Sequence, residues 1–337
     1  HSDKPMDATV KAYGLIRAGI NRVSHSEALE SVEITAQKAV AVIGAGVSGM
    51  RAAVDLARMG SHVYLIEKEN QVGGKIATTG KLFMTGENGK EVIDRLSQRI
   101  KQLPNITVFT NAELGKVSGS IGNFFIDVNV KDELLKLNVG SVLVTTGFDF
   151  YSPNEGEYGY MLSQNVVTLQ DFNKLVESSN GKLMHNGKQV KSVAYIYCVG
   201  NRQPKGENKY CSRQCCTAAI HSSLSVHEKF DGVKAFHLYR DIRTYGKQEL
   251  LYRESSSKGD VYIKFEEKEP PVVDVTGSKP SIKVKDYLTS KKELTLDADL
   301  VVLVTGMVAR ADSSEISSKL KIPVGSDKFF NEIHPKL

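Results

Sequence analysis

Apolar residues recur at two different periods along this chain, and the alternation between them marks out the elements. Met6, Val10, Tyr13, Ile16, Ile20 and Val23 approximate a helical stripe, which predicts an amphipathic packing helix over residues 6–23. Gly14 and Gly19 weaken that stripe, and residues 24–37 read as a polar connector. Lys38–Ile43 is a short continuous apolar run, the signature of a buried strand; a glycine turn, a helix from Val47 to Met59, a stop at Gly60 and a second strand at His62–Glu67 follow. Residues 90–103 predict a helix and Thr107–Thr110 a strand. Phe124–Val130 and Leu135–Asn138 read as a hairpin or crossover, and Ser141–Gly147 as a buried strand closing on glycine. The segment 151–190 is mixed, with a helix within Asn165–Glu177. Ser192–Cys198 is another buried strand, Thr217–Phe230 a helix and Ala235–Arg240 a strand. Residues 255–295 are strand-rich, polar and lysine-rich, and 279–292 reads as a solvated face. Leu300–Gly306 repeats the strand-to-glycine pattern of Ser141–Gly147, where the chain is expected to return to the first half.

The turn carries the first candidate chemistry. Val40-Ala41-Val42-Ile43-Gly44-Ala45-Gly46-Val47-Ser48-Gly49 joins strand to helix, and Glu67 ends the next strand about 20 residues on. This is the βαβ fingerprint of a dinucleotide site: glycines permit a tight turn, close approach of a pyrophosphate and close helix–strand packing, while N–H groups at the helix start face the phosphates. Glu67 is expected to accept hydrogen bonds from ribose hydroxyls. Gly73-Gly74, just beyond, gives the backbone further room beside a cofactor.

Composition adds one decisive feature. With 337 residues, 41% hydrophobic and 25% charged, the chain is an ordinary globular sequence of about two domains. No run approaches the ~20 apolar residues of a membrane span. A net charge of +5, spread along the chain, gives no basic stripe for nucleic acid. All four cysteines, however, fall between residues 198 and 216: Cys198, Cys211 and the adjacent pair Cys215-Cys216. Four thiolates in one segment suit a cubane iron–sulfur cluster, one per iron. A zinc site, a disulfide or unligated thiols stay open as alternatives. The strand that ends at Cys198 continues into Val199-Gly200-Asn201-Arg202, so the glycine turn of a second, nicotinamide-binding half is absent there. The chain begins at His1 without an initiator Met, which suggests a processed or partial polypeptide.

Tyr197-Cys198-Val199-Gly200-Asn201-Arg202, Tyr210-Cys211-Ser212-Arg213-Gln214-Cys215-Cys216 and Asp241-Ile242-Arg243-Thr244-Tyr245-Gly246-Lys247 together resemble the A-type flavin subunit of heterodisulfide reductase. They also resemble its homologues in quinone-interacting and sulfur-oxidising complexes. The resemblance implies an α/β fold with a Rossmann-like FAD domain of the thioredoxin-reductase type. It implies an N-terminal helix (1–25), a FAD domain split between 26–150 and 297–337, and an inserted nicotinamide-domain-like region (151–296) with the cysteines. Gly44, Ala45, Gly46, Ser48, Gly49, Glu67, Lys68, Gly73, Gly74, Lys75, Thr146, Gly147 and Gly306 become the candidates for holding FAD. Cys198, Cys211, Cys215 and Cys216 become those for a [4Fe–4S] cluster, with Arg202 and Arg213 as donors to its sulfurs. His221, five residues past Cys216, stands where bifurcating members place a lysine and is the catalytic candidate, titrating nearer neutrality than lysine.

The expected role is electron relay with partner redox subunits, in the cytoplasm, with membrane association only through partners and with homo-oligomerisation as a further expectation. The alternatives are a stand-alone FAD-dependent NAD(P)H or disulfide reductase, or a non-catalytic cofactor-binding scaffold. Two departures from the family pattern are an absent N-terminal iron–sulfur region and a stop at Leu337, ahead of the Gly-Asp segment that completes the flavin site.

Overall fold

The computed structural model describes residues 3–28, 33, 35–78, 80–82, 85–131, 133–289 and 291–332. The chain divides into two compact units, His1–Ala36 and Gln37–Leu337. The described part of the first holds α1 (Pro5–Ser24), which has a proline in its first turn, where a missing N–H is harmless. The helix forms as its periodicity predicts. Among the described residues of its own unit nothing covers the stripe, and Met6, Val10, Tyr13, Ile16, Ile20 and Val23 are exposed.

The larger unit opens with β1 (Ala39–Ile43), α2 (Val47–Arg58), β2 (His62–Ile66), α3 (Gly89–Lys101) and β3 (Ile106–Phe109). An antiparallel meander of β4 (Ala112–Ser120), β5 (Asn123–Val130) and β6 (Glu133–Val139) follows, and β7 (Ser141–Val144) closes this half. The parallel sheet runs β3-β2-β1-β7, with Ala39 beside His62 and Ile43 beside both Ile66 and Val144. Alternate residues of β1 serve its two faces. Val42 packs with Met50, Val54, Leu96 and Ile100 of the helices. Ala41 and Ile43 pack with Ile126, Val128 and Val139 of the meander. Burial on both faces is why β1 reads as a continuous apolar run.

β8 (Asp149–Phe150) leads into the second half: β9 (Val166–Thr168), α4 (Leu169–Ser178), the hairpin β10 (Met184–His185) and β11 (Lys188–Gln189), then β12 (Ser192–Val199) and α5 (Cys215–Lys229). After these come β13 (Lys234–Tyr239), α6 (Glu249–Ser257), β14 (Val261–Lys264), a meander of β15 (Val272–Asp274), β16 (Ser281–Asp286) and β17 (Lys292–Asp297), and β18 (Leu300–Thr305). The second parallel sheet has the order β14-β13-β12-β18-β9. β19 (Met307–Val308) pairs with β8, and α7 (Ser313–Leu320) returns to the first half, where Lys319 Nζ donates to the Leu114 carbonyl.

Pairing moves one expected boundary. β18 is buried along its whole length between β12 and β9, so the second half extends to about Gly306 and not to 296. Strand-then-glycine ends both halves, and a repeated pattern does not say which sheet a strand joins. The helix expected from Thr217 begins two residues earlier, so Cys215 and Cys216 form its first turn. Of the expected C-terminal stretch 331–337, residues 333–337 lie outside the described residues.

Candidate functional site

The first cradle is built where β1 meets α2. Gly44 has φ +99°, and a Cβ there would lie 2.7 Å from the Thr145 carbonyl oxygen. A Cβ on Gly49 would lie 1.9 Å from the Gly44 oxygen, so both positions require glycine for contact with backbone. Gly46 differs: nothing lies within 4 Å of the same added atom. α2 has no side-chain cap at Gly46, which leaves its first-turn N–H groups, including that of the exposed Ser48, for an anionic group. Open space above Gly46 with uncapped donors beside it fits a dinucleotide pyrophosphate.

Glu67 is buried at the end of β2, with Oε2 accepting from Ala45 N at 2.7 Å and Oε1 from Glu69 N at 3.0 Å. A carboxylate has about four acceptor positions, so two are left for ribose hydroxyls while the other two fix the turn. Gly73 N donates to Ala45 O, and a Cβ on Gly74 would sit 3.2 Å from the Gly46 Cα. The two glycine signals read separately in the sequence are therefore one surface. Lys68 pairs with Asp312 and Lys75 with Asp149, each at 2.8 Å. Thr146 and the exposed Gly147 leave β7 beside the turn, but Thr145 makes the contact, its Oγ1 donating to the Gly44 and Ile43 carbonyls. Sequence reasoning missed Thr145, which lay inside the apolar run.

The cysteines lie in the second half. Cys198 is the last residue but one of β12, Cys211 is on the following loop, and Cys215 and Cys216 begin α5. A Rossmann-type half places its phosphate-binding turn at this strand-to-helix junction; here thiols occupy it. A helix start favours thiolate over thiol. Cys216 is lowered to about 7 by the hydrogen bond from Cys215, helped by the Arg243 backbone and the charges of Arg202 and Arg243, against burial. Cys215 is raised by that same bond and by burial. Burial pushes Cys198 up to about 11, with the Cys216 charge adding to it.

The four thiols thus feel one another, and none is joined in a disulfide. Among the described residues, no three His, Cys, Asp or Glu side chains close around the position of a single ion. Arg202 Nη1 lies 3.9 Å from Cys198 Sγ while its Nη2 pairs with Asp241 at 2.7 Å. Arg213 reaches Cys211 Sγ through its backbone N–H alone, at 3.4 Å.

A continuous path joins cradle and cysteines. Lys75, beside Gly74, pairs with Asp149 of β8; β8 pairs with β19; Met307 of β19 accepts from Tyr210 Oη and donates to Ser212 Oγ, both at 2.8 Å, on either side of Cys211. Gly306 is part of this path and not of the first sheet. Its N–H donates to Val199 O and its carbonyl accepts from Tyr151 N.

His221 is half-buried on α5. Five residues of helix are about 1.4 turns, so His221 is rotated around α5 away from Cys216. Burial lowers its pKa, the Lys81 charge lowers it further, and Glu228 opposes both. Lys81 belongs to the segment after Gly73-Gly74, so His221 faces the first half.

His227 and His237, given no role from sequence, converge on Asp260. Its carboxylate accepts from His227 Nε2 at 2.6 Å, Ser223 Oγ at 2.6 Å, His237 Nε2 at 3.2 Å and Ser255 Oγ. His237 is sandwiched between the Tyr195 and Tyr262 rings, at 4.8 and 4.5 Å. Donating from Nε2 leaves Nδ1 to accept from Tyr197 Oη at 2.9 Å, next to Cys198. Asp260 thereby clamps α5, α6 and β13 together beneath the cysteines. Burial alone would raise the Asp260 carboxyl, but His237, Ser223 and Ser255 hold it well below the carboxylate range.

Comparison with known proteins adds three findings. Residues 39–117 match the family of FAD dependent oxidoreductases. An A-type iron–sulfur subunit of the CoB–CoM heterodisulfide reductase of Methanopyrus kandleri is 29% identical, the match taking in 100% of this chain and 64% of that protein. The A-type subunit of the H(2)/formate:CoB-CoM heterodisulfide,ferredoxin reductase of Methanococcus maripaludis is 27% identical over 98% of this chain and 63% of its own length. The chain resembles these heterodisulfide reductase subunits along its whole length. It spans a little under two thirds of them. Among solved structures, the thioredoxin reductases of T. acidophilum (TM-score 0.53, 19% identity, 86% of this chain and 83% of that one) and Lactococcus lactis (0.53, 17%, 84% and 81%) share the fold. The α/β, thioredoxin-reductase-type architecture expected from the sequence is the one found. No helix among the described residues is long and apolar enough to cross a membrane.

Proposed function

We propose that this chain is an oxidoreductase subunit that holds FAD in the first half and a [4Fe–4S] cluster on Cys198, Cys211, Cys215 and Cys216, and relays electrons to partner redox subunits of a heterodisulfide-reductase-like complex. The carrying observation is the replacement of a dinucleotide turn by the cysteine loop at the β12–α5 junction, together with the hydrogen-bonded path from that loop through β19 and β8 to Lys75. Bound FAD exchanges electrons in pairs and a cluster exchanges them singly, which is the chemistry the relay uses.

The chain's own residues bind and orient. Gly44, Ala45, Gly46, Ser48 and Gly49 receive the pyrophosphate, and Glu67 the ribose. Lys68, Gly73, Gly74, Lys75, Thr146 and Gly147 line the cofactor's approach, and Gly306 lets the cysteine loop pack against β19. The start of α5 favours the thiolate form that ligation needs, against the effect of burial. His221, facing the first half, handles protons at the flavin. A stand-alone reductase would need a nicotinamide site where the cysteine loop stands.

Anaerobically purified protein decides between these. One FAD with about four irons and a broad absorbance shoulder is expected for a cubane site. Flavin without iron, or direct bleaching of the flavin by NAD(P)H, would favour the reductase instead.

A further inference from the structure

We propose that Asn201 is the residue that sets the redox potential of the cluster, by donating its side-chain N–H to the sulfur of Cys215. The inference rests on the cluster reading given above. Asn201 has no solvent exposure, and its Nδ2 lies 3.8 Å from Cys215 Sγ. Its Oδ1 is buried as well and has no hydrogen-bond partner. A buried carbonyl without a donor costs about 1–3 kcal/mol. The amide therefore turns its N–H to sulfur at the expense of its own oxygen. A cluster-bound thiolate sulfur would only accept, and the amide presents it a donor.

The packing leaves the amide no alternative place. A Cβ on Gly306 would come within 2.5 Å of Asn201 Nδ2 and 2.7 Å of its Cβ, so glycine at 306 is what admits the side chain. On the other flank, Gly200 has φ +69°, and any side chain there would run into the Tyr151 ring. Arg202 also has positive φ, at 52°. Backbone on both sides thus fixes where Asn201 points.

The two arginines near the thiols are weaker candidates. Arg202 is drawn to Asp241 at 2.7 Å, and the Arg213 side chain is exposed. A donor in a dry site acts at low effective dielectric, where a hydrogen bond is electrostatically strongest. Hydrogen bonds to the sulfurs are among the levers on cluster potential. Reduction adds negative charge to the cluster, and an N–H aimed at a ligand sulfur stabilises that form more than the oxidised one. The Asn201 donor therefore raises the potential.

The test is an EPR-monitored redox titration of the anaerobically purified full chain, wild type against Asn201→Ala and Asn201→Ser. Expected are wild-type iron and sulfide contents, a lower midpoint in Asn201→Ala, and a value in between for Asn201→Ser, whose hydroxyl can still donate. Iron retained with an unchanged midpoint in Asn201→Ala overturns the inference and leaves the cluster reading standing. Wild-type protein without a cluster defeats the cluster reading first. Should Asn201→Ala lose its iron, pulsed EPR of reduced wild-type protein carrying 15N-asparagine supplies the answer. A 15N coupling to the cluster is expected, and its absence overturns the proposal.

Discussion

Replacing Asp260 by asparagine tests the clamp beneath the cysteines. Three donors meet one oxygen, Oδ2: Ser223 Oγ, His237 Nε2 and Ser255 Oγ. His227 Nε2 meets the other. Asparagine can keep its oxygen under the three donors and turn its amide toward His227, which can then accept. What it removes is the charge assistance. Hydrogen bonds to an ionised group contribute about 1.5–3 kcal/mol, against about 0.5–1.5 for neutral ones. Three such losses amount to roughly 3–5 kcal/mol, the same range as breaking a buried ion pair. At about 2 cal/mol/K of unfolding entropy per residue, that lowers the melting temperature of a unit this size by ~5–8 °C.

The pH dependence has a definite sign. The Asp260 carboxyl is depressed, so its contribution is present above about pH 4 and is lost as pH falls toward the folded value. His237 is held neutral by burial, with Asp260 pulling the other way. Below pH ~6.5 the unfolded chain takes up a proton that the fold refuses, so wild type weakens as pH drops through that range. Asp260→Asn removes the carboxylate that opposes this, and the acid loss becomes steeper. Urea unfolding followed by circular dichroism at pH 8, 7, 6 and 5 measures both effects. A difference below about 1 kcal/mol at pH 7, or parallel pH profiles, would refute the reasoning.

Gly46→Ala should leave thermal stability close to wild type, because its Cβ meets nothing within 4 Å, while abolishing flavin retention, read by absorbance after gel filtration. Gly49→Ala should lose both, since its Cβ would press into the Gly44 carbonyl; equal flavin loss with unequal melting separates the two. Cys215→Ala should drop iron below the wild-type content in anaerobic metal analysis, and full iron would remove Cys215 from the ligand set. His221→Gln should flatten the pH dependence of flavin reduction in stopped-flow traces below the ordinary histidine value of about 6.5, because burial and Lys81 lower the histidine; an unaltered profile would assign it to packing.

Local pattern was enough for the elements that are themselves local. The stripe of α1, the apolar run of β1, the turn at Gly44–Gly49 and the acid at Glu67 are short-range signals, and each was legible because one segment carries the whole message. The cysteine segment was legible as chemistry for the same reason, four thiols within 19 residues of one another. Tertiary pairing decided the rest. Only sheet order shows that Leu300–Thr305 belongs with Ser192–Val199, because strand-then-glycine is the same pattern in both halves. Only packing brings Asn201 to Cys215 against Gly306, and His227, His237 and Asp260 to one point. Those residues are 10 to 105 positions apart in the chain. A lone asparagine or histidine has no periodicity to announce it, so its partner is fixed by the fold and not by its neighbours in sequence.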